Sequence, residues 1–303
     1  TLVDLETLRE HLWRVLLDWP VFVGEAPLRK AMTEVASLQR QLSGALRQGG
    51  DAFALGGLAC SSDPELLTAI HNCLLELLAH EVYGVTIEEW LALSDYPALR
   101  DWAAHHHTPA SLLLRKVMEQ RWEQAGKCES QPLPVLSDQE VAKAMLDHHY
   151  VESPQWQGEC CETTSLVRVG STLLRVLKEQ SGNGLLTRLI ARLHEIAKLT
   201  VNLIPLQSLE GTLPSAETNN VGVGQVAAAR GQLVHRVELD QDDRVADYRI
   251  LAPTEWNFHP AGVVSRALSA LRGSGEQVEE QARLLITAID PCVGYDLRLQ
   301  ENG

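Results

Sequence analysis

Two short runs, residues 233–239 and 244–251, alternate apolar and polar side chains around Val237, Leu239, Val245, Tyr248 and Ile250, and the polar run Asp240-Gln241-Asp242-Asp243 separates them. Strand side chains point to opposite faces at every second residue, so a period of two cannot sit on one face of a helix. An antiparallel hairpin is the local solution. Closing it sets Ala228-Ala229-Arg230-Gly231 beside Ala252-Pro253-Thr254-Glu255-Trp256-Asn257, which predicts that Arg230 lies near Thr254.

The rest of the chain reads as helix. Residues 3–18 place Leu5, Leu8, Leu12, Val15 and Leu16 on one face, a pattern expected to stop at Trp19-Pro20. Further helices are predicted over 27–47, 66–82, 109–124, 138–148, 185–203, 264–271 and 277–288. Ser62-Asp63-Pro64-Glu65 and the Thr86 to Glu89 spacing supply start signals. In 185–203 the apolar residues Leu186, Leu189, Ile190, Leu193 and Ile196 recur at helical spacing with Arg188, Arg192 and Glu195 on other faces, a core helix. Residues 53–60 and 207–221 read as loops. The stretch 125–138, with glycine, serine and two prolines, separates a helical part, 1–124, from a second part, 139–303. The expected fold class is mainly α with a small antiparallel β-hairpin.

The 26 Lys+Arg face 40 Asp+Glu, a formal charge of -14, and no Lys/Arg-rich run occurs. Such a balance repels phosphate backbones and anionic lipid, so neither nucleic acid nor a membrane surface is an expected partner. No apolar run approaches the ~18 residues of a membrane span, and no signal-like segment opens the chain. The expected location is the cytoplasm.

The six cysteines, Cys60, Cys73, Cys128, Cys160, Cys161 and Cys292, form no C-x-x-C pair and no disulfide pattern. Cys73, among Ile70, Leu74 and Leu77, reads as a small buried thiol. His105-His106-His107 and His148-His149 are expected in exposed or capping roles, because consecutive side chains diverge and cannot converge on one ion. The vicinal Cys160 and Cys161 diverge likewise and rank as weak metal-ligand candidates.

Four segments keep one order: GECCETTSLVRV at 158–169, Ala228-Ala229-Arg230-Gly231, the hairpin exit at Ala252–Asn257, and Asp290-Pro291-Cys292. They resemble, in order and spacing, the G-x-x-x-E-T-G-P-L-A-R-V, A-P-R-G, V-P-[ST]-x-W-N and D-P-C-x-x-C-x-x-H elements of nickel–iron hydrogenase large subunits. The likeness covers about half of the chain and implies a helical large-subunit-like fold, reduced in size. It departs where nickel would bind. The last cysteine pair reads Cys292-Val293-Gly294-Tyr295, the closing histidine is Arg298, and no R-x-C-G-x-C pair occurs. The chain opens with Thr1 and not Met, so a piece bearing a remnant of that pair is expected to precede it. A phenol with pKa about 10 is a poor replacement for a thiolate on nickel.

The donors around the iron fare differently. By resemblance, Arg230 matches the A-P-R-G arginine, Thr254 the hydroxyl that bonds a cyanide, and Pro253 the proline lining the diatomic ligands. Asp290 would support the arginine or the helix end. Guanidinium and hydroxyl suit a partly anionic cyanide nitrogen. Iron donors kept and nickel thiolates lost resemble the HupK/HoxV-type hydrogenase expression/formation proteins. That resemblance implies a non-catalytic scaffold that holds iron with cyanide and carbonyl ligands on Cys292. Its partners would be maturation proteins and the large subunit. Two alternatives stay open: a chaperone that mimics a large subunit without touching iron, and a divergent large subunit with enzyme activity. Arg230 and Thr254 would otherwise only tie down the hairpin ends.

Overall fold

A computed structural model describes residues 2–46, 63–203 and 220–299. The predicted loop at 53–60 with Cys60, Ser62 and most of the loop at 207–221 lie outside the described residues. The chain divides into two compact units, Thr1–Glu119 with Leu193–Ser215 and Gln120–Arg192 with Ala216–Gly303.

The first unit is helical. Helix Leu2–Trp13 does not stop at Trp19-Pro20: it passes through a π-turn, Arg14–Asp18, into Trp19–Phe22. Pro20 opens this new turn, where a missing backbone N–H leaves no bond unmade, and Trp19 is fully buried. Helix Arg29–Leu46 follows, then Pro64–Leu78, capped by Asp63 through the amides of Glu65 and Leu66. Cys73 is exposed on this helix, against expectation, because the buried stripe runs through Ile70, Leu74 and Leu77 and turns position 73 outward. A second π-turn, Ala79–Tyr83, ends at Gly84, whose φ of +68° only glycine adopts cheaply. Thr86 forms the expected capping box with Glu89. His105 is exposed and bonds back to Asp101, and the helix beginning at Pro109 ends at Glu119, short of 124. Tyr83, Trp90 and Trp102 form the aromatic centre, with Tyr83 Oη donating to Leu193 O at 2.8 Å.

The second unit is built on three antiparallel strands, β1 (Val221–Ala228), β2 (Gly231–Leu239) and β3 (Val245–Leu251), in that order. The hairpin predicted from alternation is β2–β3, with Asp240 Oδ1 accepting the amides of Asp242 and Arg244 in the turn. β1 is an addition to the sequence reading, which ran a loop to 221. One face of the sheet packs Val234 and Leu251 against Leu136, Val141, Met145 and Trp256. The 125–138 stretch contains Gln131–Pro132, which pairs in parallel with Cys161–Glu162. The helix predicted over 138–148 is two, Asp138–Ala144 and His148–Glu152. Terminal helix Gly275–Ile289 packs Ala282, Leu285 and Ile289 on Val264, Ala267 and Leu271. Among the described residues, no helix is long and apolar enough to cross a membrane.

The core helix Leu185–Val201 contributes to both units. The polar residues off its apolar stripe are buried as well: Arg188 is 2%, Arg192 3% and Glu195 7% exposed. Each has a buried partner. Within the second unit Arg188 meets Glu162 and Arg192 meets Asp290, and within the first His11 Nε2 lies 2.9 Å from Glu195 Oε2. Charges so deep are tolerated only when paired.

Candidate functional site

β1 and β2 are joined by the two-residue turn Ala229-Arg230, with Ala228 paired to Gly231. Three side chains hold the turn. The Arg168 guanidinium donates to Ala228 O at 2.5 Å and Ala229 O at 3.0 Å, and Asn257 Nδ2 donates to Arg230 O at 2.9 Å. Thr163 presses on Gly231: a Cβ there would lie 2.1 Å from Thr163 Oγ1, at a φ of +137°. Asn257 also accepts from the Thr163 amide at 2.9 Å, so one amide side chain ties the turn to the segment before it.

β3 leaves the sheet at Leu251 and enters the short helical turn Pro253–Asn257. Pro253 is buried at its first position, and Thr254 follows. The terminal helix stops at Asp290, whose φ of +69° and ψ of 85° turn the chain out of the helix and toward Cys292. Asp290 is 2% exposed and lies between two arginines, with Oδ1 3.4 Å from Arg230 Nε and Oδ2 3.3 Å from Arg192 Nη2. Thr254 Oγ1 lies 2.7 Å from Cys292 Sγ and accepts the Cys292 amide at 3.2 Å.

The predicted proximity of Arg230 and Thr254 takes the form of a bracket. Both reach the tripeptide Asp290-Pro291-Cys292, Arg230 at its first residue and Thr254 at its last. Arg230, Pro253, Thr254, Asp290 and Cys292 thus gather in one unit, and Cys292 is exposed. Tyr295 is exposed too, and Arg298 reaches Asp296 at 3.8 Å.

Cys160 and Cys161 have other neighbours. Cys161 belongs to the sheet-side core with Val234 and Trp256. Cys160 Sγ lies 3.2 Å from His259 Nδ1, which also accepts the Ala261 amide at 3.0 Å. That amide bond keeps Nδ1 unprotonated and leaves the thiol as the donor. Burial pushes both thiols up and pushes His259 down. Burial likewise raises Cys128. Cys160 and Cys161 thus sit apart from the Arg230–Thr254–Cys292 cluster in the contacts they make.

Arg168, Arg192 and Asn257 escaped sequence reasoning, although Arg168 and Asn257 stand inside two of the matched segments. Behind them lies Glu162, fully buried, with Oε1 2.5 Å and Oε2 3.3 Å from Arg188 and a hydrogen bond from Thr164. Burial pushes this carboxyl up, and Arg188 and Thr164 outweigh it, leaving the group below the ordinary carboxylate range.

No family model matches the chain. It is 30% identical over 329 aligned positions to the hydrogenase expression/formation protein HoxV of Cupriavidus necator, across 98% of the chain and 76% of that protein. The chain belongs to the HoxV/HupK hydrogenase expression/formation family. HupK of Rhizobium leguminosarum bv. viciae is 34% identical over 182 positions, 56% of the chain and 47% of that protein. Among solved structures, an NAD+-reducing nickel–iron hydrogenase matches this family member over 96% of the chain and 77% of its own, with a TM-score of 0.57 at 15% identity. A nickel–iron–selenium hydrogenase of Desulfovibrio vulgaris Hildenborough matches over 87% of the chain and 68% of its own, with a TM-score of 0.53 at 16% identity. The fold is large-subunit-like.

Proposed function

We propose that this HoxV/HupK family member is a non-catalytic scaffold in hydrogenase maturation. Its cargo is iron carrying cyanide and carbonyl ligands, held on Cys292 and passed to the large subunit. The observation that carries the reading is the bracket: a guanidinium at Asp290 and a hydroxyl 2.7 Å from Cys292 Sγ, both set by the same sheet and helix end. The donor set fits the cargo. A thiolate is a soft ligand for iron, and Arg230 and Thr254 supply strong donors suited to cyanide nitrogen. Pro253 offers an apolar wall without a backbone N–H.

Several features suit transfer rather than permanent storage. Cys292 is exposed, and the position three residues on, where a second thiolate would complete the pair, is filled by Tyr295, so nickel has no matching ligand set among the described residues. Fewer thiolates bind metal more weakly, which is what a donor to another protein requires. The names HoxV and HupK, expression/formation proteins, agree with an accessory role served by maturation proteins on one side and a large subunit on the other.

Infrared spectroscopy of the full-length protein tests this. The protein is purified without oxygen from a host with an intact maturation system, with Cys292→Ala alongside. Cyanide and carbonyl stretches in the wild type that vanish in the variant are expected. Their absence from a folded wild type rejects the scaffold and favours a large-subunit mimic that binds proteins alone, a reading the large-subunit-like fold also supports.

A further inference from the structure

We infer that Arg192 is the positioning residue of this site, acting on Arg230 through Asp290. The inference rests on the scaffold reading for its functional meaning, and on the geometry of the unloaded protein for its physical content.

Arg192, on the core helix Leu185–Val201, reaches the last turn of the terminal helix with its side chain 4% exposed. Nη1 donates to Thr287 O at 3.1 Å, and Nη2 donates to Ala288 O at 3.2 Å and to Asp290 Oδ2 at 3.3 Å. The guanidinium is planar and its donors are fixed in that plane. Two successive carbonyls set the plane, and the shared Nη2 then sets where Oδ2 sits. With Oδ2 placed, the remaining oxygen Oδ1 faces Arg230 Nε at 3.4 Å. Burial decides which arginine leads. Asp290 and Arg192 are both deep in the protein, whereas the Arg230 side chain is 23% exposed, so the carboxylate follows the buried partner and Arg230 follows the carboxylate. The backbone agrees: Asp290 holds a left-handed φ of +69°, a conformation a non-glycine residue keeps only when its surroundings fix it.

Lysine carries the same charge on a flexible stem and cannot reproduce the planar contact to two carbonyls and a carboxylate. Arg188 provides the control. It is also a buried arginine of the same helix, and its carboxylate partner is Glu162, not Asp290.

The test reads the Arg230 Nε–H by nitrogen-15 NMR in the full iron-free chain. In Arg192→Lys its solvent exchange is expected to rise on the order of tenfold, the loss of a charge-assisted hydrogen bond, and in Arg188→Lys to stay at the wild-type rate. Arg192→Gln, which keeps a donor near Oδ2, serves if Arg192→Lys does not fold. In iron-loaded protein the cyanide stretches shift in Arg192→Lys and not in Arg188→Lys. An unchanged Arg230 signal in a folded Arg192 variant, or the same acceleration in both variants, overturns the inference. Absent infrared bands in the wild type, with the exchange effect present, reject the scaffold and leave the positioning intact.

Discussion

Thr254 Oγ1 accepts the backbone amide of Cys292 at 3.2 Å while lying 2.7 Å from its sulfur, a double contact between residues 38 positions apart. The hydroxyl therefore holds the cysteine's backbone as well as facing its side chain. Thr254→Val keeps the shape and removes both contacts, which costs about 1 kcal/mol locally. Hydrogen exchange at the Cys292 amide is expected to accelerate severalfold, with Thr254→Ser retaining protection. Equal protection in the valine variant would show that the hydroxyl does not hold this segment.

Glu162 and Arg188 form the deepest ion pair of the second unit, at 0% and 1% side-chain exposure. Glu162→Gln leaves the arginine charge buried without its counter-charge and is expected to cost about 3–5 kcal/mol, read as a lower urea midpoint at neutral pH. The pH dependence has a definite sign. The folded carboxyl lies below its ordinary value, so its contribution is fully present above about pH 4.3 and is lost as pH falls through the folded value. Glu162→Gln should flatten that acid limb.

The Cys160–His259 pair is built from two neutral groups. Burial lowers His259, so its contribution is present above about pH 6.5 and declines as pH falls through the depressed folded value. Burial raises Cys160, so its contribution is present below about pH 8.5 and declines as pH rises through the folded value. Stability should form a plateau between those limits. Cys160→Ala should lessen the alkaline decline, to which buried Cys161 and Cys128 also contribute, and His259→Gln should lessen the acid decline that begins near about pH 6.5, both checked by urea midpoints across pH; variants with curves as steep as the wild type would refute the pairing.

Gly231→Ala places a Cβ 2.1 Å from Thr163 Oγ1 in a conformation reserved for glycine. A loss of about 2 kcal/mol or more is expected in chemical unfolding. Combining it with Thr163→Ala relieves the clash and leaves the backbone strain, so rescue should be partial. Full rescue would mean that φ at 231 is not constrained.

Alternation made β2 and β3 legible, and the aspartate-rich turn between them was legible from its side-chain acceptors. β1 was not. Val221-Gly222-Val223-Gly224 is weak strand sequence, since glycine brings no side chain to pack, and it is the pairing with β2 that makes it a strand. The gathering of Arg230, Pro253, Thr254, Asp290 and Cys292 followed from ordered motifs. The sequence set Arg188 and Arg192 off the apolar stripe, but periodicity counts polarity and cannot see a carboxylate that arrives from a distant segment, so their buried pairing was not legible. Cys73 was misread for the opposite reason: its neighbours in sequence are apolar, and only the helix phase decides which way it faces.

The π-turns at Arg14–Asp18 and Ala79–Tyr83 bear on how this chain is compared with others. A π-turn houses one residue more than an α-turn, and the helix resumes beyond it with its phase rotated. A homologue lacking the extra residue would show a single-position gap inside a continuous helix, where alignment methods penalise gaps most. Moving that gap into the nearest loop would slide Leu5, Leu8 and Leu12 off the positions they share with their counterparts and make a conserved core look divergent.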